Sequence, residues 1–580
     1  MADAATVSWE TCAAPDCNGV RLESDNRCLA HATRRRRSAA LRRLSRGSPL
    51  NARGVAISAG LLQAILAAAP RDGQGRPFLQ AADFSQATLS AGASFQGTHF
   101  GEQISFSGAT FGAWADFSGA TFGTAAAFHS ATLGDNARFE DTAFGDNASF
   151  ERASFGDLAS FARATFGRGA SFSRASFGIR AWLDCMTLGD GITFFGVVFG
   201  DWVRFGPLLV TGSIELSQAV FARAPEIRIS ADRLSCRSMQ LPDGGTFLLR
   251  WAKVVLDGTN FGRPSVLSGA VHSFDQLDEA RLTTMLPIAQ RTSPAGTPRS
   301  SALPQVVSLR GSDVEHLVLA DVNLRTCRFY GAHNLDRLSL QGRIEFTAPP
   351  KGVHWGRALL PVWWWTSRQA IAEEHRWRWT RPKCQGWYPR ECRTTSAERP
   401  QALEPRDLAK LYRALRKGRE DQRDEPGAAD FYYGEMEMRR HDRTTPWPER
   451  LILWFYWLLS GYALRTTRAL SAAMVVLLIA GWLFSGVGGF DRRPYTPPTS
   501  TTTVALPTPT VVVIALPTTK PADTSFLGAV RYAGRTAVGL PREPQPRLSA
   551  WGDALQILVR IVVPVLLGLA VLSIRGRVKR

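Results

Sequence analysis

Cysteine is scarce, with 8 in 580 residues. That is too few for a disulfide scaffold of this size, and the N-terminal part is expected to stay in a reducing cytosol. Residues 1–40 hold no apolar h-region, so no secretory leader is expected there. The chain also lacks an H-E-x-x-H, a G-x-S-x-G and a P-loop pattern. No catalytic constellation stands out, and the chain is not expected to be an enzyme. Carboxylates are short against cations: 50 Asp and Glu face 69 Lys and Arg, a formal net charge of +19. The surplus is unevenly placed. Residues 451–580 carry about fourteen basic and four acidic side chains, whereas residues 80–205 carry about twelve carboxylates against seven arginines. A basic surplus beside apolar segments favours an anionic lipid surface over a nucleic-acid groove. Nucleic acid is therefore not expected as a partner.

A helical period is missing from residues 84–205. Large apolar residues recur there at Phe84, Leu89, Phe95, Phe100, Phe106, Phe111, Phe117 and onward to Phe205, in steps that alternate five and six. Such steps rotate around an α-helix and define no stable face, and a two-residue strand alternation fails as well. A coil with flat sides satisfies the pattern. Each centre points into the axis. A small residue two places earlier, such as Ala115, Ala120, Ala148 or Ala153, also points inward where space is tight. Four sides close one turn, and turns stack through backbone hydrogen bonds about 4.8 Å apart. A glycine often follows the second centre, as at Gly101, Gly112, Gly123 and Gly145. It suits a corner with an unusual backbone angle or a one-residue bulge. The aromatic ladder reads as packed core rather than a ligand-binding stripe.

Runs such as Ala148-Ser149-Phe150-Glu151-Arg152-Ala153-Ser154-Phe155-Gly156 resemble the pentapeptide-repeat family. The resemblance implies a right-handed quadrilateral β-helix. This chain departs from a simple five-residue repeat by one residue in every pair of sides, so a turn takes 22 residues rather than 20. The regular part is expected over residues 80–206, and a less regular part over 207–346. The latter includes a looser insertion at 270–304 and a second patch in which Leu309, Val314, Leu319, Leu324 and Phe329 recur at strict steps of five.

Residues 350–448 read as a Trp-rich stretch followed by a helical hairpin. Leu408, Leu411, Tyr412 and Leu415 share one face, Pro426-Gly427 reads as the turn, and Phe431, Tyr432 and Met436 share the second face. Residues 449–488 are expected to hold an interfacial helix and a first transmembrane span. Residues 489–553 read as an external Thr/Pro-rich loop with a short helix, and 554–574 as a second span. The fold class is thus mainly β: a β-helix, a helical segment and two C-terminal transmembrane helices. A cell membrane of the bacterial inner-membrane type is expected, with both termini cytoplasmic. Arg465 and Arg468 precede the first span, and Arg575, Arg577, Lys579 and Arg580 follow the second.

Two clusters carry candidate chemistry. Cys12, Cys17, Cys28 and His31 have the spacing C-x4-C-x10-C-x2-H. Thiolate and imidazole ligands suit a closed tetrahedral zinc site, which can fold a segment too short to fold alone. The run is similar to a small zinc-ribbon-like knuckle, and one structural zinc ion is the expected cofactor. An arginine run, Arg34 to Arg37, follows it and suits anionic lipid more than nucleic acid. The second cluster lies between the spans. There a short helix followed by Thr536, Val538 and Gly539 resembles the pore module of two-span potassium channels, whose T-V-G-Y-G carbonyls replace an ion's hydration shell. Leu540-Pro541 stand where the aromatic and second glycine belong, and Arg531 and Arg535 add positive charge where a cation must pass. The expected function is a membrane-tethered scaffold that presents a rigid β-helix in the cytoplasm to a protein partner, with a homo-oligomer as one option. The alternative is a two-span ion-channel-like protein in which the β-helix is a regulatory domain.

Overall fold

The computed structural model describes residues 9–23, 25–270, 303–349, 368–380, 402–490, 525–540 and 548–578, with a few short pieces between them. The chain forms two compact units: residues 1–403 with 413–423, and residues 404–412 with 424–580.

The first unit is built on a parallel β-solenoid of about 11 turns. Its strands are mostly two residues long and stack in register on the strand one turn below. One ladder of ten strands runs from Ala56–Ile57 through Thr88–Leu89 and Thr110–Phe111 to Asn260–Phe261. A second joins Phe78–Leu79, His99–Phe100, Thr121–Phe122 and Ala143–Phe144. Single bridges close the other two sides, as in Ser105 with Ala127 and Asp116 with Arg138. Partners stand 22 residues apart in the regular part (Thr110 opposite Thr132) and 20 apart higher up (Val220 opposite Gln240). The change follows the loss of the alternating six-residue sides.

The centres form the core. Phe84, Phe95, Phe106, Phe117, Phe128, Phe139 and Phe150 are fully buried. Rings stack along each column: Phe106 on Phe128 at 4.9 Å, Phe128 on Phe150 at 4.8 Å, and Phe150 on Phe172 at 4.9 Å. Neighbouring columns meet edge to face, as Phe139 meets Phe150 at 5.9 Å and 88°. Such pairs add about 0.5–1.5 kcal/mol each beyond the area they bury.

The recurrent glycine has a different cause from either expected one. At Gly123 a Cβ would lie 2.7 Å from the carbonyl oxygen and 2.8 Å from the carbonyl carbon of Gly101, its counterpart one turn below. The glycines stack on one another, and no side chain fits between the turns. The left-handed corners lie elsewhere, two or three residues after each centre, and often hold other residues, such as Asn136, Asn147, Arg152 and Arg163. Gly123→Ala is therefore expected to destabilise the coil by about 2 kcal/mol or more through overpacking. Gly119→Ala, four residues earlier, should cost only about 1 kcal/mol for its left-handed backbone, since nothing lies within 4 Å of the added Cβ. Thermal melts of the two variants should rank them in that order.

The coil begins earlier than residue 80. Leu50–Asn51 pairs with Ala82–Asp83, and Ala56–Ile57 pairs with Thr88–Leu89. Helix α2 (Ala59–Ala68) is inserted after this first turn, so the repeat spacing is broken there and the turn is hidden in the sequence. Helix α1 (Arg34–Leu44) precedes it. At the far end, α3 (Ala372–Trp379) brings Glu373 to the backbone N–H groups of Phe329 and Tyr330. Glu374 is held beside it by Arg368 and Arg378, each at 2.6 Å, all three almost fully buried. Glu373 thus satisfies two amides at the last turns, where an open edge would invite association. The Trp-rich stretch lies largely outside the described residues; within it, Val353–His354 pairs antiparallel with Trp363–Trp364.

The remaining helices are α4 (Pro405–Asp421), α5 (Glu425–His441), α6 (Trp447–Ser460), α7 (Thr466–Gly486), α8 (Phe526–Val538) and α9 (Ala550–Val578). Pro426 and Gly427 are not the hairpin turn. They sit in the first turn of α5, with Asp424 as its cap accepting from the Gly427 N–H at 3.1 Å. Proline fits there because the first helical N–H groups have no intrahelical partner. The break falls just before, where Arg423 takes a left-handed conformation. Among the described residues, α7 over 21 residues and α9 over Ala550–Ile574 are long and apolar enough to cross a membrane. Their outward faces carry exposed Leu470, Met474, Leu478, Ile479, Ile557, Leu558, Ile561 and Val565.

Candidate functional site

The N-terminal segment folds around its four candidate ligands. Short antiparallel bridges join Thr11 to Val20 and Arg21 to Cys28. One helical turn then carries the chain from Cys28 to His31, with the Ala32 N–H donating to the Cys28 carbonyl at 2.9 Å. This brings the sulfur atoms of Cys12, Cys17 and Cys28 and a ring nitrogen of His31 within 4.8 Å of one another. Cys17 Sγ lies 3.8 Å from Cys28 Sγ, and His31 Nδ1 lies 3.5 Å from Cys28 Sγ and 3.6 Å from Cys12 Sγ. No disulfide joins the three thiols. Burial pushes the Cys12 thiol up, but the Cys28 and Ala14 amides and the His31 ring outweigh it and bring it down to about 6. Burial pushes Cys28 up to about 12. The cluster can hold a metal ion. Gly19 is required against it, since a Cβ there would lie 3.0 Å from the Cys28 Cβ and 3.3 Å from the Cys17 sulfur. By contrast, Cys236 and Cys327 are single thiols buried in the coil, where burial raises both. Cys384 and Cys392 lie outside the described residues.

Part of the arginine run serves this segment. Arg37 donates from Nε to the Leu29 carbonyl at 3.0 Å and from Nη2 to the Ala30 carbonyl at 2.6 Å. Arg43 pairs with Glu23 at 2.9 Å.

Thr536 and Val538 belong to the last turn of α8, and Gly539 is its left-handed cap. The Thr536 hydroxyl donates to the Tyr532 carbonyl, and the carbonyls of Arg535 and Thr536 accept from the Gly539 N–H. These groups are engaged within the helix and its cap rather than lining an extended loop. The helix itself is packed on both α7 and α9. Ala529, Ala533 and Ala537 form a small-residue seam against Ala473, Ala480 and Phe484 of α7 and Leu555, Val559 and Val563 of α9. Arg531 and Arg535 lie on its exposed face.

One corner of the coil gathers several exposed apolar side chains. Trp114, Leu158 and Trp202 occupy equivalent left-handed corner positions two turns apart, at φ of 66°, 59° and 60°. Beside them Trp182 is also exposed. Arg138 lies over the Trp114 ring at 5.6 Å, and Arg204 over the Trp182 ring at 5.7 Å. The corresponding positions of another corner are Gln103, Ala125, Asn147, Gly169 and Gly191. Sequence reasoning passed over this corner because it followed the inward positions. The signal was the 44-residue spacing of Trp114, Leu158 and Trp202.

Residues 77–121 match the family model described as Pentapeptide repeats (9 copies). The coil thus contains pentapeptide repeats. The match begins at strand Phe78–Leu79 and covers the first turns in which the alternation of sides is unbroken. Comparison of the whole chain with curated proteins finds no match. The pentapeptide-repeat coil has an interior filled with phenylalanine rings.

Proposed function

We propose that the protein is a membrane-tethered scaffold: a pentapeptide-repeat coil held in the cytoplasm by α7 and α9, presenting its outer faces to a protein partner. The observation that carries this reading is the pairing of a fully packed coil with two helices whose apolar side chains face outward along their length. A filled core offers no chamber for a substrate, whereas a stack of turns gives long rigid faces. Outward Leu, Ile, Val and Met on two helices of span length need a solvent as apolar as themselves.

The metal in the N-terminal knuckle is zinc on this reading. With Zn–S near 2.3 Å and Zn–N near 2.1 Å, tetrahedral geometry requires edges of about 3.8 Å between sulfurs and about 3.5 Å between sulfur and nitrogen. The three separations of 3.8, 3.5 and 3.6 Å fit those edges. A closed set of three thiolates and one imidazole leaves no open position for a reacting water, so the ion's role is structural.

Two experiments test the reading. A cysteine placed at position 510 should react with an impermeant thiol reagent in intact cells, and one placed near position 578 should not; the reverse labelling would overturn the orientation. All eight native cysteines precede α7, so they fall on the cytoplasmic side of this topology. The purified protein in planar bilayers should carry no potassium current. A potassium-selective current that disappears on Gly539→Ala would move the function to the channel class.

A further inference from the structure

We propose that α6 lies in the plane of the bilayer, with its aromatic face sunk into the headgroup–acyl boundary of the cytoplasmic leaflet. The inference rests on the reading of α7 and α9 as spans, and it adds a third element to the tether.

The sequence of α6 puts its bulk on one side. Trp447, Leu451, Trp454, Phe455 and Leu458 fall at i, i+4, i+7, i+8 and i+11, which is one face of a helix. All five are exposed, Trp447 at 75%, and Ile452 at the edge of the face is 66% exposed. Glu449 and Arg450 flank this face and do not interrupt it. The other side is docked. Leu453 packs with Tyr433 and Met436 of α5, and the Trp457 Nε1–H donates to the Tyr433 hydroxyl at 3.1 Å. An exposed apolar face of this kind marks a contact surface. Its 14 residues make about 21 Å of helix, too short to cross a hydrocarbon core of about 30 Å. A position in the membrane plane satisfies both limits.

The connection to α7 names the occupant. Only residues 461–465 separate the two helices. Gly461, Tyr462 and Ala463 are all left-handed, at φ of 56°, 60° and 57°. Glycine alone takes that conformation without cost, so a turn with two other residues must be held by its surroundings. Tyr462 is fully buried, and its hydroxyl donates to Glu437 of α5 at 3.2 Å. The turn thus stops α6 from running on into α7 as one helix. It also keeps α6 beside the start of the span. Arg468 of α7 lies over the Trp457 ring at 5.6 Å, and Leu459 packs against the cluster that joins α7 to α9. This sets α6 at the level of the arginines that begin the span, where headgroups lie and tryptophan is enriched. Lipid chains need no matching polar groups, and the exposed face offers none.

The test is photocross-linking of the full-length chain in vesicles of phosphatidylethanolamine and phosphatidylglycerol. Benzoylphenylalanine takes the place of Phe455 on the face, of Ile479 on the outward side of α7, or of Glu425 on α5. All three positions are exposed and accommodate the larger side chain. Intact mass reads the product. Positions 455 and 479 should each gain the mass of one phospholipid, with yields within about threefold of each other and at least about tenfold above position 425. A lipid adduct at 479 with none at 455 would overturn this inference and leave the tether standing. No adduct at either position would overturn both. Equal lipid labelling at position 425 would overturn the inference, and so would a product of twice the chain's mass from position 455, which would give the face to a second copy.

Discussion

Phe150→Asp should unfold the turns on either side of it and abolish cooperative melting of the regular coil. Phe150 is fully buried. It stacks between Phe128 at 4.8 Å and Phe172 at 4.9 Å, and meets Phe139, Phe155 and Phe161 across the axis at 5.9, 6.0 and 5.7 Å. Truncating such a ring costs about 3–5 kcal/mol. A carboxylate without a partner adds several more, whether it stays charged or takes up a proton to avoid the charge. Each turn of a solenoid is held only by its two neighbours, so the loss is not shared across the molecule. Hydrogen exchange should show it directly. Amides between residues 128 and 172, protected by turn-to-turn bonds such as Phe150 N–H to the Ser171 carbonyl, should exchange at the rate of an open chain. Phe150→Leu should keep the fold with a lower melting temperature, since it leaves a void but no charge. A Phe150→Asp variant with native protection would mean that the ring does not point into the axis.

The ladder was legible because each core position announces itself by size. Each inward position is filled by a phenylalanine or a leucine, so the five-and-six alternation survives in the sequence as bulk. The glycines were legible as a repeat but not as a cause. Steric exclusion by the turn below and a left-handed backbone both select glycine, and only the distance from Gly123 to Gly101 separates them. The first turn at 50–57 was hidden because α2 interrupts the spacing. The hairpin break was misplaced because Pro426-Gly427 is a turn signal out of context and a helix start after a capping Asp424. The convergence of Cys12, Cys17, Cys28 and His31 was legible from their spacing. What the spacing left unseen was the support around them, because Arg37 and Gly19 act through carbonyls and van der Waals contact rather than through a motif.

Removing the metal should unfold the knuckle and loosen the first turn of the coil while leaving the turns beyond it intact. Residues 9–32 are too few to bury a core of their own, so the metal's binding energy, about 10–16 kcal/mol in comparable zinc peptides, is the knuckle's folding energy. The knuckle in turn covers the start of the solenoid. The Val20 N–H donates to the Arg53 carbonyl at 2.8 Å, and the Arg53 guanidinium lies 5.2 Å from the centre of the Trp9 ring. Gly54 backs onto the Asn18 carbonyl so closely that a Cβ would sit 2.5 Å from its oxygen. These contacts close an edge whose polar groups would otherwise face water. Freshly purified full-length protein should contain about one zinc per chain. Cys28→Ser should contain none, and should exchange the amides of residues 11–32 and 50–57 rapidly while Phe139 to Phe172 keep native protection. Gly19→Val isolates the cause, because it keeps all four ligands but crowds the Cys28 sulfur, which lies 3.1 Å from a Cβ built at that position. It should lower zinc affinity by about tenfold or more, with the coil unchanged beyond the first turns. Protein that is zinc-free when fresh, or Cys28→Ser with native metal content, would show that the four ligands meet for some other reason. Loss of zinc without any change at residues 50–57 would show instead that the knuckle folds on the metal but does not cap the coil.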